Sequence, residues 1–317
     1  METVNCNLCG SSEYRTLYGK PDVRYHPDEV FTVVECLRCG LGFVNPRPDS
    51  SEIENYYPPS FYQRYERDTD FHTARYARQA RYLERLRTKQ PRLLDVGCAN
   101  GGFPRFMKEK GWLVEGLEIS PHIRVPSDFP VHRVPFHEAD IPHGAYDAVT
   151  MWAVLEHVHD PMAYIARTSV VLKTKGLFVF VVPNFDSLAS RLLLGEDVPR
   201  HLYFFTERTI TRYMDMNGLR LLSARYGYDT QFMHPNNLLM YALHRLTKKG
   251  PFEASELKTT REQFLRTHGL EPGIGSTMRY ILSHPLATAD SALALVAGPV
   301  EKLIKRYGMV TYVAEKT

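Results

Sequence analysis

The chain predicts a doubly wound α/β protein carrying a small cysteine-rich module at its N-terminus. Three observations predict it. From Arg92 onward, short β-branched runs alternate with segments of helical period, the pattern of βαβ units around a mostly parallel sheet. A glycine-rich turn follows the first of those runs. Four of the five cysteines fall in the first forty residues as two CxxCG pairs.

The length of 317 residues predicts about two domains. A hydrophobic content of 44% and a charged content of 24% are those of a globular chain rather than a disordered one. A net charge of only +3 argues against a general pull toward nucleic acid or membrane. The opening METVNCNLCG lacks the apolar stretch of a secretory leader. No apolar run reaches the roughly 18 residues of a membrane span. A cytoplasmic location is therefore expected, where thiols stay reduced and cysteines are read first as ligands or core residues.

The elements follow in order. Residues 1–60 form the cysteine module, closed by the turn-rich NPRPDSSEIENYYPPSFY. Residues 61–91 form a helical linker, with a helix expected over 69–88 and stopped by Pro91. Residues 92–226 hold the main α/β domain. LLDV is its first strand, and Phe103, Phe106 and Met107 mark the face of the helix that Gly111 ends. Further strands are expected at 112–119, 130–134, 146–152 and 177–182. Thr206 caps a helix that stops at Asn217-Gly218, and 219–226 is the next strand. Residues 227–307 read as a helical insert, in which Asn236 to Tyr241 covers the acceptor pocket. Residues 308–317 return to the sheet as an edge strand.

The central motif is LLDVGCANGG, residues 93–102. Glycine lets the backbone take positive φ and approach a ligand closely. Glu118 closes the second strand, 21 residues after Gly97, where a carboxylate accepts hydrogen bonds from ribose hydroxyls. The turn is not GxGxxG and has no Walker lysine. An adenosyl ligand without phosphates therefore suits it better than a dinucleotide or triphosphate.

LLDVGCANGG, GLEIS, YDAVTMWAVLEHVHDP, LKTKGLFVFVVPN and RHLYFFTERTI stand in the order and spacing of class I S-adenosylmethionine-dependent methyltransferases, and the chain resembles the branch that includes ubiquinone-type O-methyltransferases. The resemblance runs from about Arg92 to Tyr226 and returns at Met309 to Ala314. It implies a seven-stranded, Rossmann-like methyltransferase sheet whose last strand is antiparallel. It also implies that Asp95, Gly97 and Cys98 line the methionine end of the cofactor with Gly101 close by, that Glu118 binds ribose, and that Met151 and Trp152 flank the sulfonium. Two departures stand out. SPHIRVPSDFP, residues 120–130, is too short and proline-rich for the helix that usually follows the second strand. Ala153 stands where some relatives carry a magnesium-binding acid, so magnesium dependence is not expected.

The two knuckles Cys6-Asn7-Leu8-Cys9-Gly10 and Cys36-Leu37-Arg38-Cys39-Gly40 are separated by 26 residues. Each pair sets two thiolates on one side of a tight turn, and together they supply the S₄ tetrahedron of structural zinc. A redox pair and an iron–sulfur site are the alternatives. The module resembles zinc ribbons ahead of methyltransferase domains acting on sugars and secondary metabolites.

A hydroxyl acceptor must lose its proton during methyl transfer, and histidine suits that task near neutrality. His157 and His201 lie where the family's acceptor cleft opens, with His201 preferred as the base. Each has an ordinary alternative, as a helix-orienting or loop histidine. Asn/Asp-Pro-Pro-Tyr, the mark of enzymes that methylate nucleobase amines, is replaced by Met151-Trp152-Ala153-Val154. Arg75, Arg78, Arg81 and Arg85 recur at helical spacing and read first as a solvated face. The expected function is methyl transfer to an oxygen of a small polar acceptor, such as a sugar, glycan precursor or secondary metabolite. The alternatives are a zinc-ribbon RNA methyltransferase and a cofactor-binding protein without turnover.

Overall fold

The computed structural model describes residues 1–22, 25–62, 69–86, 88–125, 128–193, 197–227 and 273–317, with isolated positions between 239 and 271. The N-terminal strands are β1 (Tyr14–Asp22), β2 (His26–Cys36) and β3 (Gly42–Val44), followed by α1 (Pro59–Tyr62) and α2 (Thr69–Ala80). The main sheet takes β4 (Arg92–Val96), β5 (Leu113–Leu117), β6 (Val131–His132), β7 (Tyr146–Trp152), β8 (Leu172–Pro183), β10 (Leu219–Tyr226) and β11 (Met309–Lys316). Its helices are α3 (Gly102–Glu109), α4 (Pro161–Val171), α5 (Leu188–Leu193) and α6 (Glu207–Met216), and α7 (Ile274–Ser283) and α8 (Pro285–Leu303) precede β11.

The seven strands run in the order β10-β11-β8-β7-β4-β5-β6. β4 is parallel to both β5 and β7, so the connections reverse direction at β4, and the crevice beyond its C-terminal end is where open α/β sheets bind ligands. The doubly wound fold expected from the sequence is present. Local chemistry explains its elements. Asp160 caps α4, accepting from the Ala163 N–H at 3.0 Å, with Pro161 preset in the first turn. Thr206 and Thr209 form a reciprocal capping box on α6.

Some expectations differ from the structure. The helix expected over 69–88 stops at Ala80, and a 3-10 turn, Arg81–Leu83, finishes it; this turn, not Pro91, ends the segment and buries Leu83. The strand expected at 308–317 is not at an edge. β11 lies between β8 and β10, antiparallel to both. Seven of its eight residues are buried, which the apolar run MVTYVA permits on both faces. The helix expected beside His157 is α4, which begins at Pro161. The described part of 120–130 contains no helix. Asn236, Asn237, Leu238, Met240 and Tyr241 of the expected pocket cover lie outside the described residues. Among the described residues, no single helix is long and apolar enough to cross a membrane.

A second sheet runs β1-β2-β3-β9, where β9 is Tyr203–Phe204. Phe43 of the cysteine module pairs with Tyr203, a residue of the long connection after β8. One buried cluster contains Cys6, Leu8, Cys39 and Phe43 together with Val96, Phe180 and Tyr213. The small sheet and the main domain therefore share a core.

Candidate active site and metal centre

The glycine turn between β4 and α3 is tied to β5, with the N–H groups of Gly97 and Cys98 donating to the Leu117 carbonyl at 2.7 and 3.0 Å. Gly97 has φ 73°, and a Cβ there would stand 2.6 Å from Val154, so both conformation and space require glycine. Gly101, with φ 77°, precedes α3. Asp95 is buried and accepts from the Thr150 hydroxyl at 2.6 Å. Burial pushes its carboxyl up to about 7, against the pull of Thr150 and Arg75. Glu118 is also buried, and its two oxygens accept from the Ala99 and Ser120 N–H groups at 3.0 and 2.8 Å. Burial raises its pKa although those N–H groups oppose the rise. Cys98 is buried, and its Sγ fills the space above Gly116.

Met151 and Trp152 are consecutive in β7 and face opposite sides of the sheet. Met151 joins the cluster containing Val96 and Phe205. Trp152 packs edge-on to Phe103 at 5.2 Å, so Trp152 and not the Met151 side chain stands beside α3. Among the described residues, two buried donors here have no hydrogen-bond partner: Trp152 Nε1 and Arg75 Nε. Orphaned donors beside a glycine turn and two buried carboxylates fit a ligand that carries its own acceptors. The residues present therefore suit an adenosyl amino acid. Sequence reasoning placed Arg75 on a solvated stripe. The available signal was the inward face made by Tyr76, Gln79, Ala80 and Leu83, beside which Arg75 sits.

A second group of polar side chains begins two residues past Val154, which lies against Gly97. Glu156 is buried, burial pushes its carboxyl up to about 8, and its Oε2 has no hydrogen-bond partner. His157 Nδ1 lies 2.9 Å from the Arg200 carbonyl and 2.9 Å from the Tyr57 hydroxyl. A carbonyl oxygen only accepts, so Nδ1 carries the proton and Nε2 is the basic nitrogen. His201 is brought against it, with ring centroids 4.7 Å apart. His157 Nε2 is 4.0 Å from Glu156. The two histidines and the glutamate thus form one cluster, with one nitrogen or oxygen atom from each within 4.8 Å of the others.

Glu156 gives the protein a pH dependence of definite sign. Its carboxyl ionises near 4.5 when exposed and near 8 when folded, so the folded state holds a proton the unfolded state releases. Its contribution to stability is present below 4.5 and is lost as pH rises through about 8. Thermal unfolding across that window is expected to show Glu156→Gln gaining on the parent protein as pH rises. A difference independent of pH contradicts this.

The four N-terminal cysteines converge. Cys6 and Cys39 Sγ are 3.4 Å apart, Cys9 and Cys36 3.5 Å, and all four sulfurs lie within 4.8 Å. The knuckles match: the Gly10 and Gly40 N–H groups donate to the Cys6 and Cys36 carbonyls at 2.8 and 2.9 Å, with φ of 73° and 76°. Burial raises the Cys6 thiol and pushes the Cys39 thiol up to about 11, so holding these two as thiolates calls for a nearby cation. The donor set and spacing fit zinc. Asn7, inside the first knuckle, bonds Asp160 at 2.9 Å, the Met162 N–H at 3.0 Å and the Tyr213 hydroxyl at 2.9 Å. The knuckle is thereby fastened to α4 and α6.

Comparison with known proteins bears on the α/β domain. The family described as "Methyltransferase domain" matches residues 66–224. The "Ubiquinone biosynthesis O-methyltransferase" of Chromobacterium violaceum is 32% identical over 152 residues, covering 44% of this chain and 65% of the relative. That of Xanthomonas campestris is 34% identical over 96 residues, covering 27% of this chain and 40% of the relative. The chain thus aligns with less than two thirds of these relatives. In fold, it is similar to a SAM-dependent methyltransferase from Archaeoglobus fulgidus, with a TM-score of 0.50 at 16% identity, covering 82% of this chain and 99% of the other.

Proposed function

Since the chain belongs to the S-adenosylmethionine-dependent methyltransferases, we propose that it methylates an oxygen of a small hydroxylated acceptor, with His157 as the base. The observation that carries this reading is the continuity from Gly97 through Val154 to His157, which sets the acid–base cluster beside the cofactor turn. The O-methyltransferase relatives support oxygen as the acceptor atom. Sugars, secondary metabolites and quinone precursors are the acceptors to compare.

S-adenosylmethionine supplies a methyl group on a cationic sulfur. Glu118 holds the ribose hydroxyls and Asp95 the amino group, while Gly97 and Cys98 line the methionine end. Arg75 meets the carboxylate with its buried Nε. Trp152 and the end of β7 at Met151 border the methyl group. His157 Nε2 takes the acceptor's hydroxyl proton while the Arg200 carbonyl stabilises the proton on Nδ1. His201 packs on the ring and shapes the cleft. The four cysteines hold one zinc ion, which is structural because all four ligand positions are filled by protein.

The arginine helix supports a small acceptor rather than RNA. Arg75 and Arg78 each bury Nε, and Arg85 lies 3.6 Å from Glu315, so the arginines do not form one free stripe for phosphates.

Glu118→Ala is expected to weaken S-adenosylmethionine binding by about 1.5–3 kcal/mol, the scale of hydrogen bonds to a charged group. Calorimetry measures it, and an unchanged Kd removes Glu118 from the ribose role. Glu115, three residues earlier and within β5, bonds Arg92 at 2.8 Å and His132 at 3.1 Å. Glu115→Ala is expected to change stability and leave affinity alone.

A further inference from the structure

The family match begins at residue 66, yet Tyr57, which meets His157, and most of the partners that hold the Arg200 side chain come from before it. Arg200 is wholly buried, with 0% of its side chain exposed. Its guanidinium donates to both oxygens of Asp22, at 2.9 and 2.7 Å, and Asp22 is likewise buried. It also donates to Asp197 at 2.7 Å and to the Tyr56 carbonyl at 3.2 Å, and lies 5.1 Å from the Tyr25 ring. Three of these four partners belong to the N-terminal module. A buried guanidinium with this many fixed partners has one place to sit, because any other leaves a charge unpaired. The backbone of Arg200 is fixed with it, and the Arg200 carbonyl is the group that accepts from His157 Nδ1. Tyr57 closes the arrangement: its hydroxyl is 2.9 Å from Nδ1 and donates to the same carbonyl at 3.3 Å.

We propose that the N-terminal module is a working part of the acceptor site, in which Asp22 (through Arg200) and Tyr57 are positioning residues that keep the His157 proton on Nδ1 and direct Nε2 to the acceptor. This rests on His157 being the base. The module thereby sets the protonation geometry of a residue that the matched methyltransferase segment contributes. The two neighbours that could compete for the ring, Glu156 and His201, face it from the β7 connection and from beside β9. Glu156 stands 4.0 Å from Nε2, longer than the 2.9 Å from Nδ1 to the Arg200 carbonyl, and His201 meets the ring edge-on.

The test uses the full chain with S-adenosylmethionine bound and its histidine rings labelled with ¹⁵N, the His157 resonances being assigned by their loss in His157→Ala. The parent protein is expected to show the Nδ1-protonated tautomer. Asp22→Asn and Tyr57→Phe are each expected to populate the Nε2-protonated form. Each is also expected to lower kcat about 10- to 100-fold, as misplacement of a reacting group does, with the S-adenosylmethionine Kd unchanged. A purely structural role would lower Tm in Asp22→Asn and leave the tautomer as it was, which overturns the proposal. A parent protein already protonated on Nε2 overturns it as well. If Asp22→Asn does not fold, Tyr57→Phe decides the question. Should His157→Ala retain full turnover, the base reading fails by itself, and the tautomer response of the two variants still separates that failure from failure of the positioning claim.

Discussion

His157→Ala is expected to lower turnover about 10²–10⁴-fold, the usual scale for removing a general base, while the affinity for S-adenosylmethionine stays within about twofold, since affinity follows the cofactor contacts and not the base. The reason lies in the hydrogen bonds. Nδ1 is committed to the Arg200 carbonyl at 2.9 Å, which fixes the tautomer and makes Nε2 a base that needs no rearrangement before it accepts a proton. His201, preferred from the sequence, is packed edge-on against that ring, and its backbone N–H donates to the Asp197 carbonyl at 2.8 Å. His201→Ala is expected to reduce turnover less, through looser packing of the His157 ring. Steady-state rates of the two variants on one acceptor measure the ranking. If His201→Ala is the more damaging, the base is His201 and His157 orients it.

Loss of metal is expected to have the largest effect on stability. The purified protein should carry one zinc per chain, and Cys36→Ser should lose it together with the folded N-terminal module. In small structural sites the binding free energy of zinc is about 10–16 kcal/mol, and it is folding free energy. This site is joined to the rest of the chain by Asn7 on α4 and α6 and by the pairing of β3 with β9, so its collapse is expected to reach the acceptor side. Metal analysis and thermal unfolding before and after chelation measure this. Iron in place of zinc, or metal-free protein with an unchanged unfolding transition, contradicts it.

The fold was legible because its signals are local. The cap at Thr206, the limits of β7 and β10 and the glycine turn all depend on residues adjacent in sequence. The position of β11 was less legible, because MVTYVA is apolar on both faces and an edge or an internal place differs only in which strands accept it. The two cysteine pairs could be matched by spacing alone. The acceptor side could not be completed in that way. Tyr57 and His157 are 100 residues apart and Asp22 and Arg200 are 178 apart, and only the docking of the small sheet brings them together. Arg75 was obscured for a related reason: a charged residue at helical spacing reads as solvated until α2 is seen lying over the cofactor turn.

The measurement that bears most directly on the account is the fate of a deuterated methyl group. The protein is incubated with S-adenosylmethionine labelled in its methyl, a panel of sugars, phenols and quinone precursors, and RNA in a parallel reaction. The products are then analysed by mass spectrometry and NMR. The account predicts label on the oxygen of a small hydroxylated acceptor, abolished by His157→Ala and weakened by Glu118→Ala through cofactor affinity. Label on carbon, nitrogen or RNA, or tight cofactor binding with transfer to none of these acceptors, contradicts it.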